Sequence, residues 1–382
     1  VLRQVTATFV YGLTATPIRK DGHQPIIFMQ CGKIRFTSDA KSQMENQGFK
    51  RLLIPRFTSF RSITSDRKTY VQITQELSED KVRNEFVMED IKAAIQKGRT
   101  PLVLTTRTAH VKVLAQMLMP FADHVIQLIG ADSAKEKRLA LQKLQSIPTS
   151  ESLVIVATGK YVGEGFDYPR LDTLFLTMPI AWKGNVEQYA GRLHREYEGK
   201  SEVCIYDYVD IRVPLCDSMY RKRLKGYIKA GYGKNVTSPA PDKKSQELIY
   251  EQNNYEAAFR NDLAKAKHSV VIAVPKVKFK YKPSIMSALA NLLHDGVSVV
   301  VHVKEEGANE TELSNAGMDV VCNKEQTLQC AIIDKSIVWY GNINFFGYNS
   351  ETNNVMRIAD HKIANEMMEI LYSATENKVN GG

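Results

Sequence analysis

The stretch Leu153-Val154-Ile155-Val156-Ala157-Thr158, followed by Gly159, decides the fold of this 382-residue chain. A continuous apolar run of this length is typical of a strand that is covered on both faces, as in parallel sheets. A second buried strand is predicted at Thr173-Leu174-Phe175-Leu176, after a turn-rich segment over 162–169. Two such strands joined by a glycine-containing loop favour an α/β fold in which ligands collect at the carboxyl ends of the strands.

Helices and strands alternate ahead of this stretch. Apolar residues recur at helical spacing over 80–97, and Gly98 ends that helix. The further predicted elements are a strand over 101–107, a helix over 109–119 and a strand over 125–129 that ends at Gly130. Alternation of this kind predicts a parallel sheet with right-handed crossovers.

A polar motif follows the second strand at Gln188-Tyr189-Ala190-Gly191-Arg192-Leu193-His194-Arg195. Gln188, Arg192 and Arg195 stand at i, i+4 and i+7, so a helix would place them on one face. Two guanidinium groups and an amide on one face suit a polyphosphate clamp. The alternative is an ordinary solvated helix face.

Three segments together resemble motifs of superfamily 2 helicases and translocases of the DEAD/DEAH type. Residues 157–169 are similar to motif V, residues 188–195 to motif VI, and residues 11–17, Tyr-Gly-Leu-Thr-Ala-Thr-Pro, to motif III. The E-G-x-D-x-P form at 164–169 is most similar to the XPB-like, UvrB-like and restriction-helicase branches. The resemblance covers roughly the first 235 residues and implies a RecA-like second helicase lobe.

The resemblance implies roles at the nucleotide. Arg195 matches the arginine finger that approaches the γ-phosphate, and Arg192 matches an arginine that pairs with phosphate or with an acid of the first lobe. Gln188 matches a residue that fixes the helix or touches nucleotide. Asp167 matches an acid that contacts ribose or holds the arginines, and Gly165 and Thr16 complete the implied nucleotide site.

The resemblance also implies contacts to a nucleic-acid backbone. Thr158 and Gly159 match such contacts at a strand end, and the further candidates are Thr105, Thr106, Arg107 and Gly130. Each assignment has a structural alternative: a threonine can cap a helix, and either arginine can form an ion pair with Asp207 or Asp210.

Two parts of the family's ATP site do not occur in this sequence. The phosphate loop G-x-x-x-x-G-K-[ST] (Walker A) and the Asp-Glu pair that orients Mg²⁺ (Walker B) are absent. Both precede motif III in the family. We therefore expect the sequence to be the carboxyl-terminal part of a longer ATP-hydrolysing helicase, with ATP and Mg²⁺ bound mainly by the first lobe. This segment alone should be inactive.

The domains are predicted as follows. Residues 1–60 form the tail of a first lobe and a connector, 61–233 the second lobe, 234–245 a proline-bearing polar linker, and 246–376 a separate α/β domain. Within the first range, residues 25–29 suggest a short buried element.

Residues 327–344 resemble the phospholipase D core, H-x-K-x-x-x-x-D followed by G-S-x-N. Thr327 stands where that family has its nucleophilic histidine, Gln329 where it has lysine, and Asn342 where it has serine, whereas Asp334, Gly341 and Asn344 match. Without the imidazole no phosphohistidine can form. A degenerate domain that binds or scaffolds nucleic acid is therefore expected.

The charge of the chain favours a polyanionic partner. Net charge is +9, and basic residues dominate 220–244. Lysines alternate with Val277, Phe279 and Tyr281 over 276–282, which suits binding of phosphates and a base, or simply a solvated edge that discourages strand pairing. DNA is the expected partner, with ATP.

Five scattered cysteines without C-x-x-C spacing favour reduced thiols, a cytoplasmic location and no metal site. No stretch of the sequence is apolar for long enough to predict a membrane span. Three functions compete: an ATP-driven DNA helicase or translocase, a phospholipase D-type phosphodiesterase or nuclease, and a non-catalytic nucleic-acid-binding module. The first is favoured.

Overall fold

A computed structural model defines the architecture of the chain. The residues that it describes are 12, 24–36, 50–62, 68–130, 133–163, 166–180, 185–232, 249–278, 283–305, 307–324, 326–350 and 353–376. The chain divides into two compact units, residues 1–48 and 49–382.

The first unit contains one described helix, α1 (Gln24–Cys31). A short buried element was predicted at 25–29, and this is wrong, because Ile26 and Met29 of α1 are 57% and 82% exposed. A Cβ at Gly12 would lie 3.3 Å from Cys31 Sγ. The other residues of 11–17, Thr16 among them, lie outside the described residues.

The second unit begins with a six-stranded sheet in which every neighbouring pair of strands is parallel. The strand order is β1-β6-β5-β2-β4-β3. The strands are β1 (Lys50–Phe57), β2 (Pro101–Thr105), β3 (His124–Leu128), β4 (Leu153–Thr158), β5 (Thr173–Leu176) and β6 (Glu202–Val209). The predicted α/β fold with a parallel sheet is therefore confirmed.

Helices connect these strands. They are α2 (Tyr70–Glu79), α3 (Lys81–Gln96), α4 (Thr108–Leu118), α5 (Ala134–Ser146), α6 (Gly159–Gly163), α7 (Asn185–Leu193) and α8 (Pro214–Lys229). Local sequence signals set their ends. The Asp80 carboxylate accepts from Arg83 N–H at the start of α3, and Gly98, with φ of 72°, follows its end.

Strand β1 lies outside the range predicted for the second lobe. Residues 50–57 were assigned to a connector, but they pair in register with β6, from Lys50 opposite Glu202 to Phe57 opposite Val209. The sheet therefore begins before residue 61. The sequence did not reveal this strand because its apolar run, residues 52–54, is short and is followed by Pro55 and Arg56.

A seven-stranded mixed sheet follows, with the order β10-β9-β8-β11-β12-β13-β7. Its strands are β7 (Ile249–Glu251), β8 (Ser269–Ala273), β9 (Ser298–Val303), β10 (Asp319–Cys322), β11 (Cys330–Ile333), β12 (Ile337–Gly341) and β13 (Asn354–Ala359). Its helices are α9 (Tyr255–Leu263), α10 (Pro283–His294), α11 (Ala308–Asn315) and α12 (His361–Glu376).

The two sheets share one hydrophobic core, so the second is not the separate domain that the sequence suggested. Buried residues of β1, β6 and α8 belong to the same cluster as those of β11, β12 and α12. The rings of Phe57 and Tyr340 meet edge to face with their centroids 4.9 Å apart. Tyr340 also donates a hydrogen bond to the Asp217 carboxylate of α8. The Arg212 guanidinium donates to the Ile370 carbonyl oxygen.

Helix α8 contains much of the basic stretch noted over 220–244, and its described arginines are not available to a polyanion. Arg223 is 1% exposed and its guanidinium binds both oxygens of Asp207, at 2.7 and 2.8 Å. Arg221 pairs with Asp217, one turn earlier. Residues 233–248 lie outside the described residues.

Candidate functional site

The carboxyl ends of the six parallel strands lie at one edge of the sheet, and a cavity of about 400 Å³ opens there. Three predicted residues, Thr106, Thr158 and Gly159, line this cavity. Its remaining lining residues were not predicted from the sequence: Tyr70, Lys160, Ile180, Tyr189 and Met219.

Thr158 and Gly159 are held in place by close contacts. The Thr158 hydroxyl oxygen accepts from Gly130 N–H at 2.9 Å, which fixes the loop after β3 against the end of β4. A Cβ on Gly159 would stand 2.4 Å from the Tyr189 hydroxyl oxygen. Only glycine therefore allows Tyr189 of α7 to approach this backbone.

Thr105 does not face the cavity. Its side chain is fully buried, and Oγ1 lies 2.9 Å from His110 Nδ1. His110 Nε2 lies 2.9 Å from Asn84 Oδ1, and Asn84 Nδ2 donates to the Ser78 carbonyl oxygen. Because Asn84 Nδ2 is the donor to Ser78, Asn84 Oδ1 is left to accept from His110 Nε2–H. The Nδ1 atom then has no proton, so Thr105 donates to it. Burial, with Arg83 and Arg107 nearby, lowers the pKa of His110 to about 3. A role for Thr105 in contacting nucleic acid is therefore wrong, because its hydroxyl stabilises helix packing.

The neighbouring residue Thr106 is exposed at the cavity. Tyr70, at the start of α2, donates its hydroxyl to the Pro179 carbonyl oxygen at 2.8 Å. Burial raises the pKa of Tyr70. Arg107 reaches the Val71 carbonyl oxygen with Nη1 at 3.4 Å. The Arg107 contact joins the start of α2 to the loop after β2.

The arginine motif is only partly helical. Helix α7 ends at Leu193, so Arg195 lies beyond it and does not continue the stripe of Gln188 and Arg192 that we predicted. The helix ends there because the following residues form a turn. Gln188 is exposed, as predicted for a polar face, whereas Arg192 is half-buried.

Arg195 is joined to the loop of the E-G-x-D-x-P segment. Its Nε donates to Asp167 Oδ1 at 3.2 Å, with 55% and 44% of the two side chains exposed. The Arg195–Asp167 contact is compatible with the implied role of Asp167 in holding a motif arginine, and the implied ribose contact stays a prediction. Gly165 lies outside the described residues.

Lys200 is a positioning residue that the sequence did not reveal. Its Nζ donates to three carbonyl oxygens, those of Pro169 at 2.5 Å, Leu193 at 3.2 Å and Arg195 at 2.7 Å. It thus ties the loop after Asp167 to the end of α7. Burial, opposed by Asp172, lowers the pKa of Lys200 to about 8.

Arg192 differs from the structural arginines of this sheet. Its Nε is buried and makes no hydrogen bond, and no carboxylate pairs with it within the described residues. In contrast, Arg83 binds both oxygens of Asp210, and Arg223 binds both of Asp207. The alternative in which Asp207 or Asp210 neutralises a motif arginine is therefore wrong, because both acids are already paired.

The residues of the phospholipase D-like pattern lie at two opposite edges of the mixed sheet. Strand β11 runs from Cys330 to Ile333, so Gln329 precedes one end and Asp334 follows the other. Gly341 N–H donates to the Gln329 carbonyl oxygen at 3.3 Å, which places Asn342 and Asn344 near Gln329. Asp334 instead accepts from the N–H groups of residues 267–269, at 2.8–2.9 Å. Its inclusion in a single degenerate site was wrong.

The asparagines of that pattern serve the backbone. Asn342 Oδ1 accepts from Asn354 N–H at 2.7 Å. Asn344 Oδ1 accepts from Phe346 N–H at 2.9 Å, and its Nδ2 donates to the Lys276 carbonyl oxygen at 3.0 Å. These side chains shape a loop rather than present free groups. Thr327 is exposed, and Gln329 is half-buried with no hydrogen bond to Oε1 in the described structure.

No described histidine substitutes for the missing nucleophile. His302, on β9, is 3% exposed and its ring packs against Tyr372 of α12, with centroids 5.2 Å apart. Burial lowers the pKa of His302 to about 4. His268 lies at the opposite edge, beside Asp334.

Three further properties concern the chain as a whole. The five cysteines are free thiols. Within the described ranges, His, Cys, Asp and Glu side chains form no group of three that is arranged to bind a metal ion. The helices described above include none with the length and apolar character that a bilayer crossing requires.

Comparison with known proteins gives weak but consistent likenesses. No family model matches the chain. It is 26% identical over 155 residues to the transcript termination protein A18 of Myxoma virus (strain Lausanne), covering 39% of this chain and 31% of the relative. It is 25% identical over 197 residues to the protein of that name in Vaccinia virus (strain Ankara), covering 51% and 36%. The chain thus spans about a third of the length of these relatives.

Two solved structures each resemble part of the chain. One is Nuc, a phospholipase D family member from Salmonella typhimurium, at 21% identity and a TM-score of 0.30, covering 34% of this chain and 91% of Nuc. The other is T4 UvsW, at 17% identity and a TM-score of 0.39, covering 48% and 40%. At these scores the likeness assigns no function.

Proposed function

We propose that the parallel sheet is the second motor lobe of an ATP-driven helicase or translocase that acts on DNA. Its edge loops would hold the sugar-phosphate backbone at the cavity lined by Thr106, Thr158 and Gly159. Arg192 and Arg195 would meet nucleotide phosphates presented by a first lobe. The mixed sheet would bind nucleic acid without cutting it.

The observation that supports this proposal best is the state of Arg192. Removing a charged group from water is costly unless a counter-charge or hydrogen bonds compensate. Arg192 is half-buried, its Nε is enclosed without a hydrogen bond, and no carboxylate among the described residues pairs with it, whereas Arg83 and Arg223 are paired with acids. An anionic ligand would supply the missing partner.

The chemistry assigned to each residue follows from its position. Bound ATP and Mg²⁺ would supply the phosphoanhydride that is cleaved and a cation to share its charge. Arg195 would stabilise charge on the phosphate oxygens. Asp167 and Lys200 would hold the Arg195 side chain and backbone, and the exposure of the Arg195–Asp167 pair leaves the guanidinium free to change partners at little cost.

The decisive experiment measures DNA-stimulated ATP hydrolysis by the full-length protein. Arg192→Ala and Arg195→Ala should each lower kcat by roughly 10³-fold or more while DNA affinity changes little. Arg138→Ala, at an exposed position on α5, is the matched control and should not alter kcat. Unchanged turnover in the two motif variants would refute the proposed role.

A further inference from the structure

One edge of the mixed sheet gathers several chain segments. Strands β7, β8, β9, β10 and β12 end there, and β11 and β13 begin there. This follows because β11 is antiparallel to β8 and β12, and β13 is antiparallel to β12 and β7. The described parts of the chain at this edge are 252–254, 274–278, 304–305, 323–324, 326–329, 342–350 and residue 353.

Four lysines lie on these segments, Lys276, Lys278, Lys304 and Lys324, and all four are exposed. Within the described structure, none forms an ion pair. Backbone hydrogen bonds keep the segments adjacent: Lys278 N–H donates to the Phe346 carbonyl oxygen at 3.0 Å, and Lys304 N–H to that of Pro275 at 3.4 Å.

Among the described residues at this edge, the four exposed lysines outnumber the exposed acids, which are Glu305 and, at the end of β7, Glu251. Glu310, on α11, is 6% exposed, and its Oε1 accepts from Val277 N–H at 3.2 Å. It therefore turns inward and stabilises the loop that carries Lys276 and Lys278.

A tyrosine lies on a braced loop that is hydrogen-bonded to the segment of Lys276 and Lys278. Tyr348 is 75% exposed. On either side of it, Asn344 N–H donates to Asn349 Oδ1 at 2.7 Å, and Asn349 Nδ2 donates to the Asn344 carbonyl oxygen at 2.9 Å. Asn353 Nδ2 donates to the Asn342 carbonyl oxygen at 2.7 Å. These hydrogen bonds fix the backbone that carries the ring, so ordering it on binding costs little entropy.

We propose that this lysine–tyrosine edge, defined by Lys276, Lys278, Lys304, Lys324 and Tyr348, binds single-stranded nucleic acid. The ammonium groups meet phosphates and the Tyr348 ring stacks on an unpaired base, which is the combination that single-strand-binding surfaces use. The proposal deepens the role given above to the mixed sheet. Strand cleavage is not part of it, because Thr327 and Gln329 supply neither nucleophile nor cation.

The test is the anisotropy of a fluorescein-labelled oligodeoxythymidylate titrated with the intact protein over a range of salt concentrations. The variant Lys276→Gln/Lys278→Gln/Lys304→Gln should lower the slope of log affinity against log salt by about 2, since each lysine–phosphate contact on a single strand contributes ~0.7. Tyr348→Ala should weaken binding roughly tenfold, and Tyr348→Phe should restore it.

The opposite edge of the same sheet provides the control. Lys265, Lys267 and Lys335 are exposed there, so their triple glutamine variant makes an equal change in net charge. An equal loss of affinity in that variant would overturn the proposal and leave only non-specific attraction. With a blunt duplex, Tyr348→Ala should have no effect; an equal loss on the duplex would overturn the stacking role.

Unfolding midpoints of all variants establish that the fold is intact. The difference in binding between each variant and the parent reports on the mixed sheet, whereas the Arg192 and Arg195 experiment reports turnover. If the lysine and Tyr348 variants keep the affinity and salt slope of the parent, the proposed edge is refuted and the motor role is unaffected. If the Arg192 and Arg195 variants keep the parental turnover, the motor role is refuted and the edge is unaffected.

Discussion

Arg56 of β1 and Glu366 of α12 form a buried ion pair, with Nη2 2.9 Å from Oε1, that links the parallel sheet to the last helix. Arg56 Nε also lies 3.0 Å from Asp90 Oδ2. The atoms are close, but their angles are not those of hydrogen bonds. The cost of removing the Glu366 carboxylate from water is therefore not fully compensated. Burial therefore raises the pKa of Glu366 to about 7, although Arg56 and Lys362 lower it.

This pair predicts a pH-dependent stability. The folded chain retains the Glu366 proton up to about pH 7, whereas the unfolded chain loses it near the ordinary value of 4.5. The protonated carboxyl thus makes its full contribution to the free energy of unfolding below pH 4.5, and this contribution is lost as pH rises through about 7. Relative to the parent, Glu366→Gln should gain roughly 2–3 kcal/mol of unfolding free energy between about pH 5 and about pH 8.

Urea unfolding of Glu366→Gln and of the parent at about pH 5 and about pH 8 measures the change in their relative stability. Glu369→Gln is the control, because Glu369 is exposed on the same helix. A difference between Glu366→Gln and the parent that does not vary with pH would show that Arg56 keeps the carboxylate ionised.

Gly159 should tolerate alanine only if Tyr189 is shortened. A Cβ there would be 2.4 Å from the Tyr189 hydroxyl oxygen but 3.2 Å from the ring carbon that bears it. Gly159→Ala should therefore cost about 1–3 kcal/mol, as overpacking does. Adding Tyr189→Phe should recover most of that loss. A thermal unfolding double-mutant cycle measures the coupling, and simple additivity would contradict the contact.

The arginines should separate into two classes by their effect on stability. Arg223→Met leaves Asp207 buried without its partner and should cost about 3–5 kcal/mol. Arg195→Met breaks a half-exposed pair and should cost less than about 1 kcal/mol. Chemical denaturation of the two variants checks this, and a large loss for Arg195→Met would indicate a structural role.

Local sequence signals were enough for much of the fold. The run 153–158, the helix over 81–96 between Asp80 and Gly98, and the helix–strand alternation all depend on residues close together in sequence. The same holds for the cavity residues at strand ends, Thr158 and Gly159, because a strand's end can be read from its own composition.

Contacts between distant residues were not predictable in this way. Nothing near Lys200 indicates that its ammonium group would contact three carbonyls on two other segments, and nothing near Thr105 indicates that His110 and Asn84 bury its hydroxyl. The pairing of β1 with β6 joins residues some 150 positions apart in sequence. Periodicity carries no information about such partners.

Asp334 should prove structural rather than catalytic. Although burial raises the pKa of Asp334, backbone N–H donors at Ser269, Lys267 and His268 lower it below its ordinary value. Asp334→Asn should cost about 1–2 kcal/mol near neutral pH. The cost should begin to shrink below about pH 4, where the unfolded chain takes up the proton, and disappear once the folded carboxylate is protonated as well. Unfolding curves at both pH values test this. A cost that does not depend on pH would show that the charge of the Asp334 carboxylate does not strengthen its hydrogen bonds to residues 267–269.

The shared core of Phe57, Tyr340 and their neighbours has a consequence for how this chain can evolve and be dissected. Cleaving the polypeptide within 233–248 and separating the halves would expose a large apolar surface on each, so neither fragment should be obtained as a soluble, folded protein. For the same reason, recombination could not transplant the carboxyl-terminal half into an unrelated protein without carrying β1 and α8 with it. The two halves should therefore be inherited together.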